Sequence, residues 1–179
     1  MAPFILSVRP LPDSQLDSDT LARRGVPALA APLLEPHLIA PILPADPSLY
    51  AGLIFTSRHA VDGFLAALGD GGLGGWATLP VFAVGRATAR VARAARFSVK
   101  VTGQGGGSSL PPLIHQHADV GGLPLLWPAA RDRGFDMVAA MAPAITVEDI
   151  AVYAMNRTPR LTDAALDALA YGKILAVKL

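Results

Sequence analysis

The sequence predicts an open, mostly parallel α/β fold, and three observations carry that prediction. Apolar runs of four to five residues alternate with helical patterns of nearly a dozen. The best runs, Leu53-Ile54-Phe55 and Val81 to Val84, are continuously apolar, as strands buried on both faces are. Each run passes at once through a short polar or glycine turn into a helix start, the grammar of βα units.

Taken in order, Phe4 to Val8 reads as a first strand, stopped by Arg9-Pro10 because proline cannot continue a central ladder. Asp13 or Ser14 is placed to cap a helix reaching about Arg24, with Leu16 and Leu21 buried and Gly25 closing it. Val26 to Leu34 is another apolar segment. Glu35 to Pro47 carries Pro36, Pro41, Pro44 and Pro47, a spacing that forbids a long helix and marks an extended connection at a domain boundary.

After the Leu53 strand, Ala60, Val61, Phe64, Leu65 and Leu68 form one apolar stripe on a helix from Ser57 to Leu68. Gly69 to Gly75 reads as a loop. Beyond the Val81 strand, a helix after Gly85 is expected to bury Val91, Ala94 and Ala95 and to expose Arg86, Arg90, Arg93 and Arg96. Ser98 to Val101 follows as a strand, then a loop from Gly103 to Ser109 and a helix with Leu110, Leu113 and Ile114. The remainder reads as strand (Leu123 to Trp127), helix (Asp132 to Met141) and strand (Ile145 to Tyr153). Then comes a helix capped by Thr162 or Asp163 and stopped by Gly172, and Ile174 to Val177 has the look of a core strand.

At 179 residues the chain is long enough for a full core, in one large or two small domains. A net charge of +1 calls for neither nucleic acid nor an anionic membrane. No cysteine is present, which excludes disulfides, thiolate catalysis and zinc–cysteine sites. The N-terminal residues lack the pattern of a signal peptide and no run approaches a membrane span, so a cytoplasmic location is the expectation.

The candidate functional residues lie at strand ends. Thr56 and Ser57 follow the central strand; Ser57 can cap the next helix, and the free amides there can also receive a carboxylate or phosphate oxygen beside both hydroxyls. A nucleophilic serine is disfavoured, since no G-x-S-x-G elbow or His–acid pair accompanies it. Gly85 permits a tight turn or close ligand approach, and Thr88 lies in the first helical turn after it. Arg131 and Arg133 at one strand end, and Arg9 after the first strand, could fork onto carboxylates, or could simply form surface pairs such as Arg131 with Asp132. The Gly103 to Ser109 loop resembles a phosphate cradle in composition only, lacking a Gly-Lys-Ser/Thr ending, and Ser108 or Ser109 is placed to cap the next helix. His115 and His117, two apart, do not share a helix face, so no metal site is expected. His59 reads as surface or cleft rim. Tyr153, ending a strand, reads as a core-edge residue or a phenol able to donate to a leaving hydroxyl.

Laid side by side, SVRP (Ser7 to Pro10), IFTSRHAV (Ile54 to Val61), VFAVGRATA (Val81 to Ala89), the glycine-serine approach to Leu110, LLWPAARDRG (Leu125 to Gly134) and the strand ending at Tyr153 resemble the uroporphyrinogen-III synthase family in order and spacing. The resemblance implies two flavodoxin-like α/β domains joined by a two-stranded connector. On this chain they would be residues 1–35 with 154–179, an outward connector at 36–48, an inserted domain at 49–147 and a return connector at 148–153. It implies cyclisation of hydroxymethylbilane, a linear tetrapyrrole polycarboxylate, with inversion of ring D and loss of water, by a cytoplasmic monomer without cofactor. Carried over by position, Thr56, Ser57, Gly85 and Thr88 would bind substrate, with Arg9 and Arg131 as additions, and Tyr153 would assist departure of the hydroxyl. Ala129-Ala130 stands where relatives commonly carry an arginine-glycine-type turn. Relatives also continue for several more elements, so the resemblance implies a truncated, split or frameshifted product with an incomplete first domain and doubtful activity alone. The alternative is a non-catalytic α/β module that binds anions or tetrapyrroles.

Overall fold

The computed structural model describes residues 3–179 and contains nine strands and six helices of α type among them. The chain divides into two compact units, one of residues 38–154 and one of residues 1–37 and 155–179.

The 38–154 unit is built on a sheet of order β3-β8-β7-β4-β5-β6. Its strands are β4 (Gly52–Phe55), β5 (Pro80–Ala83), β6 (Ser98–Thr102), β7 (Leu125–Ala130) and β8 (Val147–Arg157), which leaves the unit after Ala154; of β3 (Leu34–Leu38) only Leu38 belongs to it. From β8 to β6 every pairing is parallel. The chain runs outward from β4 through β5 to β6, then returns to lay β7 on the other side of β4. That reversal makes the carboxyl ends of β4 and β7 a topological switch point, where the following connections part and a crevice opens. Leu53, Ile54 and Phe55 have no exposed surface, as continuously apolar central strands require.

Helix α2 (Arg58–Leu68) follows β4 and starts where the Ser57 hydroxyl accepts from the amide of Ala60. It buries Ala60, Val61, Gly63 and Phe64. A Cβ on Gly63 would stand 2.5 Å from the carbonyl oxygen of Val152, so this close approach of helix to β8 needs glycine. Helix α3 (Arg86–Ala94) buries Thr88, Ala89 and Ala92, whereas Ala94 is exposed and Val91 half-buried. The buried stripe therefore differs from the expected one: small residues, not the valine, make the face toward the core. Helix α4 (Leu110–His117) buries Leu110 and Ile114, but neither serine before it caps it; the Ser109 hydroxyl donates backward to the carbonyl of Gly106. Helix α5 (Met137–Met141) starts later than the expected Asp132, because Asp136 supplies the cap.

The other unit has a three-stranded parallel sheet of order β2-β1-β9, formed by β1 (Phe4–Ser7), β2 (Ala28–Ala30) and β9 (Ile174–Lys178). Helix α1 (Asp13–Ala22) has no side-chain cap, and Leu16 is 47% exposed, against expectation. Its inner face is polar instead. Ser14 is buried, the Asp17 carboxylate accepts from the Ser7 hydroxyl at 2.9 Å, and Ser18 donates to the carbonyl of Ala28. These bonds to β1 and β2 turn the helix about its axis and leave Leu16 outside. Thr162 caps α6 (Asp163–Ala170), which buries Ala165 and Ala168. The expected core strand at the end is a sheet edge, with Leu175 69% exposed.

Candidate functional site

Four side chains from three strand ends of the 38–154 unit meet at the switch point. Thr56 and Ser57 leave β4, Trp127 lies on β7, and Tyr153 lies on β8. The Ser57 and Tyr153 hydroxyls are 2.9 Å apart. Tyr153 is only 7% exposed, and its ring lies 5.7 Å from that of His59 on α2. A shift in register delivers Tyr153 here: Ala129 pairs with Ala151 but Ala130 pairs with Tyr153, and the Arg131 amide donates to the Tyr153 carbonyl.

Burial pushes the Tyr153 phenol above its ordinary value, and the hydrogen bond with Ser57 opposes that shift without cancelling it. The phenol accordingly stays protonated at neutral pH and keeps an O–H to donate. Ser57 accepts from the amide of Ala60, so its own proton is available to the phenolic oxygen. In that orientation Ser57 donates to Tyr153, and the tyrosine proton is not used by Ser57.

Beside this pair, the Trp127 indole N–H donates to the Thr56 hydroxyl oxygen at 3.1 Å. The Arg133 guanidinium stacks on the indole at 4.7 Å and pairs with Asp149 at 2.5 Å. Arg133, together with Arg131, reads from the sequence as a strand-end guanidinium for carboxylates, but it is stacked on Trp127 and paired with Asp149, neither of which stands out in the sequence as part of a site. A tryptophan inside a strand gives no direction without the sheet order.

The neighbouring strand end holds a cavity of about 780 Å3 lined by Gly85, Arg86, Thr88, Arg93, Thr102 and Gly103 among others. Thr88 is 4% exposed and reaches it from the first turn of α3. Gly85 has φ −171°, extended backbone open to any residue, so its turn does not demand glycine. The amides of Gly103 and Gly105 donate to the carbonyls of Ala83 and Val84 and are spent there, unlike those of a phosphate cradle. The cavity does not include Ser57 or Tyr153. Geometry for proton donation is at the switch point, and the cavity offers cationic and hydroxyl groups for an anionic arm.

The other two candidate arginines are engaged already. Arg131 is exposed and forks onto Asp132 at 3.2 and 3.1 Å. Arg9 belongs to the other unit, where its guanidinium meets Asp13 at 2.8 Å and Asp17 at 3.3 Å. Among the described residues no group of three His, Cys, Asp or Glu side chains could hold a metal ion. No helix among them is long and apolar enough to cross a membrane.

Residues 17–179 match the family model described as uroporphyrinogen-III synthase HemD. The chain belongs to the uroporphyrinogen-III synthase family. This is a family of cyclising lyases of porphyrin and heme biosynthesis acting on a tetrapyrrole substrate. Among solved structures, a mutant uroporphyrinogen III synthase from the extremely thermophilic bacterium Thermus thermophilus is similar at 18% identity, with 98% of this chain and 71% of that one covered and a TM-score of 0.63. The uroporphyrinogen-III synthetase of Helicobacter pylori is similar at 21% identity, covering 94% of this chain and 68% of that one, with a TM-score of 0.57. At such identities the likeness shows the fold: the two-domain α/β architecture of the synthases. Among curated proteins, no match is found.

Proposed function

We propose that this chain performs the uroporphyrinogen-III synthase reaction, with Tyr153 as the proton donor and the 38–154 unit as the wall that holds the substrate. The observation that carries the reading is the Ser57–Tyr153 contact of 2.9 Å at the switch point, on a buried phenol that carries its proton at neutral pH. The substrate's terminal hydroxyl must leave from a carbon that becomes an azafulvene. Tyr153 gives its proton to that oxygen as the C–O bond breaks, and the bond's electron pair departs with water. The electron-poor carbon is then attacked by the already substituted carbon of ring D, giving a spiro intermediate. That carbon's bond to the neighbouring bridging methylene breaks, the methylene re-bonds at the free α-carbon to invert the ring, and the proton lost there returns to Tyr153 as the pyrroles recover aromaticity. Such chemistry needs orientation and a well-placed donor more than several ionisable groups.

Thr56, Ser57, Gly85 and Thr88 are assigned to the substrate's carboxylates, supported by their place at the carboxyl ends of β4 and β5. Arg131 and Arg9 join them only by releasing the aspartates they now hold. The same reading takes 1–35 with 154–179 as one domain, 36–48 and 148–153 as connectors and 49–147 as the inserted domain, and the grouping of 38–154 supports it. It also includes a cytoplasmic monomer that needs no cofactor and binds neither nucleic acid nor membrane.

The test is incubation with freshly generated hydroxymethylbilane followed by separation of the isomers. Type III product carries the reading. Only the spontaneous type I product would overturn it, and tetrapyrrole binding without turnover would leave the chain a binding module.

A further inference from the structure

We propose that Trp127 is a positioning residue that turns the Thr56 hydroxyl into an obligate hydrogen-bond donor toward a substrate carboxylate. The inference rests on the functional reading above.

An indole N–H can only donate, so at 3.1 Å the Thr56 oxygen must be the acceptor. Its own proton is thereby freed from that partner and directed elsewhere. A carboxylate accepts only, and a hydroxyl rotor with no fixed partner would offer it a lone pair as readily as a proton. Fixing the rotor removes the repulsive orientation before the ligand arrives, which is preorganisation.

The indole is itself held. Trp127 is 2% exposed, and β7 pairs with β4 up to Leu126 opposite Leu53, which carries the next side chain to the end of β4. Arg133 covers one face of the ring, and Asp149, directly opposite Trp127 across the β7–β8 pair, holds Arg133 there. A cation over the ring draws electron density toward itself and makes the N–H a stronger donor. The contacts thus run Asp149, Arg133, Trp127, Thr56 and end at the switch point where Ser57 meets Tyr153.

A buried tryptophan also finds a partner for its N–H simply because leaving it unpaired is costly. The two accounts separate on Trp127→Phe, Thr56→Val, Thr56→Ser and the Trp127→Phe/Thr56→Val double variant, assayed with hydroxymethylbilane and titrated with uroporphyrin III, a stable octacarboxylate probe. For Trp127→Phe we expect KM and the probe's Kd to rise about threefold, the cost of choosing one of three staggered hydroxyl wells, with kcat within about twofold. Thr56→Val, which removes the hydrogen bond to a charged group itself, should raise both about tenfold or more, and Thr56→Ser should retain wild-type affinity. The double variant should be no worse than Thr56→Val, since the two act as one unit. Losses that multiply in the double variant, or a Trp127→Phe protein with unchanged Kd and only a lower Tm, overturn the proposal. Thr56→Ser and Thr56→Val replace a half-buried side chain, so their difference remains readable even if Trp127→Phe folds poorly. A wild-type chain that neither turns over substrate nor binds the probe overturns the functional reading as well. One that binds it equally with and without the Trp127 N–H overturns this inference alone.

Discussion

The 38–154 unit and the unit made of the chain's two ends are both parallel α/β structures, yet different interactions hold them. The first buries Trp127, Phe55, Phe64 and Phe82 completely or nearly so. Phe64 stands edge-on to Trp76 at 5.3 Å, and Phe55 to Phe97 at 5.4 Å. The second centres on Leu6, Val8, Ala31 and Ala165, while Leu166, Leu169 and Leu175 remain exposed. Where large apolar side chains are missing, charge takes their place: Asp17 gathers the Ser7 hydroxyl, Arg9 and the Lys178 ammonium at 2.6 Å. Burial area is insensitive to pH and salt, whereas ion pairs with an exposed partner are sensitive to both. Tyr153, the proposed proton donor, thus lies in the unit held together by large buried side chains.

The largest expected effect breaks that comparison on function. Tyr153→Phe keeps the ring beside His59 and removes the proton donor, so kcat should fall by about 10²- to 10⁴-fold with the unfolding midpoint nearly unchanged. A comparable loss from Arg9→Gln, with Tyr153→Phe active, would move the chemistry to the other unit. Next, Phe64→Ala should cost about 3–5 kcal/mol by urea unfolding, since its neighbours Phe55, Trp76 and Phe97 cannot all close on the gap. A smaller cost there than for Leu6→Ala would reverse the ranking of the two cores.

Two smaller effects separate the units by pH. Burial alone would raise the Asp17 carboxyl, but hydrogen bonds from Lys178 and Ser7 and the charges of Lys178 and Arg9 hold it below its ordinary value. Its stabilisation is present above about pH 4 and is lost as pH falls through the lowered value. Asp17→Asn should therefore unfold the smaller unit more readily at neutral pH and erase the difference from wild type in acid; an unchanged acid limb would sink this account. In the other unit, burial first, then the hydrogen bond to Glu148 at 2.6 Å and its charge, push the Tyr50 phenol up to about 12. A raised phenol stabilises the fold below its unfolded value near 10, and that contribution fades as pH climbs toward about 12. Glu148→Gln should bring the Tyr50 titration, followed by ultraviolet absorbance, back toward an ordinary phenol.

Local chemistry was legible in the residues themselves. Continuous apolar runs became β4 and β5, Ser57 and Thr162 became caps through their own hydroxyls, and Gly25 and Gly172 end helices with positive φ. Each of these is decided within a few residues of chain, so periodicity and turn chemistry suffice. Helix facing was less legible. In α1 an apolar leucine faces out because Asp17 and Ser18 find partners on β1 and β2, and partners on other elements leave no trace in a helix's own pattern.

The candidate site divides in the same way. Thr56 and Ser57 could be placed at the end of a strand by sequence alone, and Tyr153 at the end of another. That they come together was decided only by the sheet order, which lays β7 and β8 on one side of β4 and β5 on the other. The hydrogen bonds that make the site join residues 71 and 96 positions apart. Such contacts arise from packing whole strands in register, and nothing in a strand's own residues names its neighbour.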